Sequence, residues 1–126
     1  MKNSIALILL GLALSLSSTA FADDHSTLRV VTVATDDAAA YIKQLKQGKQ
    51  LIAKVSPDMQ MRVWQATFAG DAAGTVSVGI EHPGSLSAFA NSWEKVQADS
   101  AVSKWLAGLS GMREIVSDSL YNEVPL

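Results

Sequence analysis

Cysteine is absent from all 126 residues. That excludes disulfides, thiolate-held metals, covalently attached c-type haem and thiol catalysis. A small domain without those staples must hold together by core burial or by association with another subunit. Histidine is scarce: His25 and His82 are the only two, so no histidine set reaches the three ligands that a metal centre needs. Charge is sparse and nearly balanced, 10 basic against 12 acidic residues. No basic cluster marks a nucleic-acid partner. There is no Gly-x-Ser-x-Gly motif and no plausible Ser-His-Asp set. The glycine-flanked stretch Gly70-Asp71-Ala72-Ala73-Gly74 carries no lysine and opens no helix, so it is not a phosphate loop.

What is present falls into two parts. Lys2 precedes an uncharged apolar run, Ile5 to Leu16, of roughly 12 residues, where a membrane-spanning helix wants about 20. Ser17-Ser18-Thr19 then leads into Ala20-Phe21-Ala22, a small-x-small pattern. This layout predicts a secretory signal peptide over residues 1–22, cleaved after Ala22, in preference to a retained anchor. No cysteine follows the run, which disfavours a lipid anchor. The expected product is residues 23–126, exported to a periplasm or beyond and free of the membrane. That length supports one core and not two.

Leu28 to Thr35 is rich in β-branched residues, with Val30 on one face and Val31 and Val33 on the other, which predicts a strand covered on both sides. Asp36 and Asp37 offer caps to a helix whose stripe is Tyr41, Leu45, Gly48, Ile52 and Val55. Gly48 inside that stripe predicts close packing on a sheet, and Ser56-Pro57-Asp58 ends the helix. A second strand is expected over Met59 to Ala69, with Met61 and Val63 on one face and Trp64, Ala66 and Phe68 on the other. A hairpin then leads to a strand over Thr75 to Glu81, broken by His82-Pro83-Gly84. Ser85 or Ser87 caps the next helix, striped by Leu86, Phe89, Trp93 and Val96. Ala98-Asp99-Ser100 interrupts it before Val102, Trp105, Leu106 and Leu109 resume the pattern. A last strand is expected over Arg113 to Val124. The order is βαββαβ, an α+β ferredoxin-like arrangement: a four-stranded antiparallel sheet with two helices on one face. Two helices leave the other face uncovered, and its apolar residues predict a second copy there.

The element order resembles that of the dimeric α/β-barrel superfamily. So do Ser85-Leu86-Ser87-Ala88-Phe89-Ala90-Asn91-Ser92-Trp93 and the helix, break and helix around Val96 to Trp105. Arg62 to Gly70 is similar to bacterial members. The resemblance spans roughly Leu28 to Val124 and implies a homodimer with sheets facing each other. It also implies a ligand pocket between sheet and helices, in a superfamily that includes cofactor-free monooxygenases and haem enzymes. No active-site motif matches position for position.

Among single residues, His82 stands out at a strand end. It is a candidate haem ligand or general base, set against a partly solvated turn histidine. Tyr41, Trp64, Phe89 and Trp93 are candidate lining for a small apolar or aromatic ligand, although helical spacing favours core packing for all but Trp64. His25 reads as incidental, and Glu81 points away from His82 by strand alternation. No cofactor is evident, with haem the one that His82 would admit, and no metal site is expected. The leading reading is an exported dimeric ligand-binding or accessory domain. A cofactor-free or haem-dependent oxidoreductase is the alternative, and a structural or stress-response protein the third.

Overall fold

The computed structural model describes residues 25–67 and 70–126. The expected signal peptide, residues 1–22, and Phe68 lie outside the described residues. The elements are β1 (Thr27–Ala34), α1 (Ala38–Val55), β2 (Gln60–Gln65), a 3-10 turn (Gly70–Ala72), β3 (Val76–His82), α2 (Leu86–Ala98), α3 (Ser100–Leu109) and β4 (Glu114–Asn122). The sheet order is β2-β3-β1-β4 with every neighbouring pair antiparallel. This is a ferredoxin-like βαββαβ fold, a four-stranded antiparallel sheet with its three helices on one face.

The caps fall where short polar side chains permit them. Asp37 Oδ1 accepts from the Ala40 amide at 3.0 Å, and Ser85 Oγ accepts from Ala88 at 3.2 Å. Asp99 does two jobs. Its amide donates to the Val96 carbonyl at 3.2 Å, closing α2. Its carboxylate accepts from Ala101 and Val102, both at 3.0 Å, opening α3. One extended residue with a competent capping side chain therefore splits the expected second helix in two.

Strand alternation sends Val31, Val33, Met61, Val76, Val78 and Ile80 toward the helices, where they are buried. The helical stripes answer with Tyr41, Leu45 and Ile52, then Phe89 and Val96, then Val102, Trp105 and Leu109. Each large apolar side chain withdrawn in this way contributes about 1.5–3 kcal/mol. Gly48 is buried for a different reason from the expected one. A side chain there would strike the Trp105 indole of α3, not the sheet. That ring is pinned by its Nε1 donating to the Gln44 carbonyl at 2.8 Å. The small residue thus sets the approach of two helices.

β2 is shorter than expected because the hairpin closes early. Ala66 donates to the Thr75 carbonyl and Gly74 to the Ala66 carbonyl, both at 2.9 Å. Gly74 sits at φ 87°, where a side chain would be strained. On the sheet face away from the helices lie Leu28, Val30, Thr32, Ser77, Gly79, Trp64 and Tyr121, by the register with β1 and β3. Trp64 and Tyr121 are 49% and 55% exposed there. The Trp64 ring lies over Gly79, which has no side chain to hold it off.

Candidate functional site

β4 pairs with β1 along its length, and a bulge at Thr32/Val33 shifts the register. Its helix-side residues are Leu120 opposite Arg29, Asp118 opposite Val31, and Ile115 opposite Val33. Leu120 and Ile115 remain 49% and 53% exposed. The helix layer stops short of β4 and leaves a trough along it, walled by Phe89 and Trp93 of α2 and by Leu106 of α3.

An ion pair crosses that trough. Arg29 donates from Nε and Nη2 to the two Asp118 oxygens, at 3.0 and 2.7 Å. This two-pronged geometry is the strong form of an arginine–carboxylate contact. Those hydrogen bonds hold the Asp118 carboxyl below its ordinary value, against partial burial that raises it. The Arg29 charge adds to the lowering, and the Arg113 charge contributes further. Arg29 also lies over the Trp93 ring at 5.0 Å. Trp93 stacks on Phe89 at 6.2 Å, and Phe89 meets the His82 ring edge-on at 6.5 Å.

Arg29 borders a space on each side of the pair. Inward is a cavity of ≈ 70 Å³ between sheet and helices, lined mainly by apolar side chains including Ile80, Trp93, Trp105 and Ile115, with Arg113 in its wall. Outward is a cleft of ≈ 380 Å³ bounded by Leu86, Phe89, Ala90 and Leu120. Arg113 donates from Nη1 to the Tyr41 hydroxyl at 3.1 Å. Among the described residues no carboxylate pairs with it.

The expected site residues are not brought together. Phe89 and Trp93 do line the trough. Tyr41 is fully buried behind Arg113 and touches the cavity only through it. Trp64 is on the opposite sheet face, with Arg62 over its ring at 5.7 Å. His82 is neither solvated nor in a cavity: it ends β3 on the helix side and is 7% exposed. Its Nδ1 accepts from the Gly84 amide at 2.9 Å, so in the neutral ring Nε2 carries the proton and donates to Ser92 Oγ at 3.1 Å. Both nitrogens are thereby engaged. Such a ring cannot ligate haem iron or accept a substrate proton without breaking one of these bonds. The residues therefore do not fit haem. No group of three or more potential metal ligands occurs among the described residues.

Sequence reasoning missed Arg29 and Arg113, and it gave Asp118 no role. One signal was present. Arg29 shares strand parity with Val31 and Val33, so a charge was bound for the helix-covered face and required a partner.

No protein-family model and no curated protein matches the sequence. Solved structures do. A NIPSNAP family protein from Agrobacterium tumefaciens is 15% identical, with TM-score 0.63, covering 81% of this chain and 87% of its own. SnoaB of Streptomyces nogalater, a cofactor-independent oxygenase, is 9% identical, with TM-score 0.56 and coverages of 80% and 93%. A dimeric ferredoxin-like protein from Thermobifida fusca is 9% identical, with TM-score 0.52 and coverages of 80% and 92%. At these identities the likeness is one of fold.

Proposed function

We propose that the chain is an exported homodimeric domain that binds a small apolar or aromatic molecule in the trough between β4 and the α2–α3 pair. The carrying observation is a strand whose helix-facing Ile115 and Leu120 stay half-exposed opposite an aromatic wall. Apolar concavities with a few fixed polar groups are the usual form of small-molecule sites. At ≈ 70 Å³ the inner cavity is about half of a dry cavity known to take benzene. A ring therefore enters only partway and rests its remainder in the outer cleft.

Export rests on residues 1–22, and the dimer on the uncovered sheet face. Leu28, Val30, Trp64 and Tyr121 form an apolar strip that no helix of the described residues covers, and a second copy is the simplest cover. A Trp64→Asp variant is expected to elute as a monomer or to be insoluble; a stable dimer from it in size-exclusion chromatography would remove Trp64 from the interface.

Titration with benzyl alcohol, followed by tryptophan fluorescence, tests the binding reading. A saturable change that Leu106→Trp abolishes by filling the cavity is expected, and no change at any concentration short of denaturation contradicts it. The likeness to SnoaB supports an oxygenase as the second reading. That reading predicts dioxygen-dependent loss of the bound molecule, where binding alone returns it unchanged.

A further inference from the structure

The two arginines of the inner cavity differ in how their charge is balanced. Arg29 is neutralised by Asp118 at 2.7 and 3.0 Å. Arg113 is partly buried, and among the described residues its side-chain hydrogen-bond partner is a phenol oxygen at 3.1 Å. Its charge reaches Asp118 through space, but Asp118 is already committed to Arg29. Two guanidinium groups and one carboxylate leave the cavity with one surplus positive charge. The remaining walls are Val31, Leu45, Met61, Val78 and the aromatic and aliphatic side chains already named. A partly desolvated cation is costly without a counter-ion, and a planar guanidinium is matched by a planar two-oxygen anion.

We infer that the ligand of this trough is a monoanion, an apolar body bearing one carboxylate, with Arg113 as its anchor. The inference rests on the trough being a binding site. Tyr41 acts as a positioning residue: its hydroxyl accepts one Arg113 N–H and leaves the others for the ligand. Asp118 sets the charge count, so its removal strengthens the attraction for an anion instead of weakening it. The acidic residues nearest the outer side of Arg113 do not cancel it. Asp36, Asp37 and Glu114 line the open pocket on the far side of Arg113, away from the inner cavity, and none of the three lies within ion-pair distance of Arg113.

A matched pair of probes tests this on the full domain. Phenylacetate and phenylacetamide share shape and differ in charge. The wild-type protein is expected to favour the acid by on the order of tenfold to a hundredfold, the worth of a charge-assisted hydrogen bond. The preference should shrink as salt screens it. Arg113→Gln should equalise the two probes, and Arg113→Lys should retain part of the preference. Asp118→Asn should enlarge it, a result that a purely structural role for these residues does not give. Equal binding of acid and amide to the wild type overturns the anion inference and leaves the trough intact as a neutral site. Failure of both probes and of benzyl alcohol overturns the trough reading and this inference with it. Should Arg113→Gln not fold by circular dichroism, the Asp118→Asn and Arg113→Lys ratios decide.

Discussion

β3 and β4 flank the same strand, β1, with the same antiparallel pairing, and end in opposite environments. The helix-side residues of β3 are sealed: Val76, Val78 and Ile80 are 0%, 4% and 5% exposed. Those of β4 are open, with Ile115 at 53% and Leu120 at 49%. Backbone pairing is therefore not what buries a strand; the helix layer is, and it reaches over β3 but not over β4. Two side-chain links fasten β4's helix side to β1 among the described residues: the Arg29–Asp118 ion pair and, at the strand end, Thr27 Oγ1 donating to Asn122 Oδ1 at 3.2 Å. A charged, two-pronged contact stands where β3 has methyl groups.

The contrast can be tested by matched truncations. Ile80→Ala should cost about 2–5 kcal/mol in urea unfolding, the usual range for a buried aliphatic. Leu120→Ala should fall within about 0.5 kcal/mol of wild type, as for an exposed site. Equal losses would mean that β4 is covered in solution. Gly48→Leu should cost about 3 kcal/mol by forcing α1 off Trp105, lowering the unfolding midpoint without changing which sheet face is exposed. His82→Ala should cost about 1–3 kcal/mol, since it strands the Gly84 amide and the Ser92 hydroxyl; urea midpoints within error of wild type would show that the ring is dispensable. A small, pH-dependent effect is expected at Asp118, whose side chain is 40% exposed. Its carboxyl is held below the ordinary 3.8, so the stability it adds is whole above that value. That stability drains away as pH falls through the lower folded value. Asp118→Asn should remove this acid-limb dependence at a cost under about 1 kcal/mol at neutral pH, and an unchanged acid limb would remove the pair from the stability account.

Much of this architecture is legible in the residues. The stripe Tyr41, Leu45, Gly48 and Ile52 is buried as its spacing requires, and Val102, Trp105 and Leu109 likewise. The Asp99 break also follows from residue type. Leu86 shows the limit of that reasoning: it lies in phase with Phe89 yet is 45% exposed, because it faces the uncovered side of β4, where there is no layer to meet. Periodicity reports which face a residue takes and is silent on whether anything lies opposite. The site is less legible for the same reason. Arg29 and Asp118 are 89 positions apart, and Tyr41 and Arg113 are 72 apart. No local pattern joins Arg29 to Asp118 until β1 and β4 are seen to be neighbours, or Tyr41 to Arg113 until α1 is seen to pack beside the start of β4. His82 drew notice as a rare residue type, and its chemistry is consumed by Gly84 and Ser92.

The most direct test of a ligand trough beside β4 is methyl NMR of isoleucine and leucine side chains during titration with benzyl alcohol. The account predicts saturable shifts at Ile80, Leu106, Ile115 and Leu120, with Leu28 on the far sheet face unmoved. Shifts centred on Leu28, with Ile115 and Leu120 silent, would contradict it.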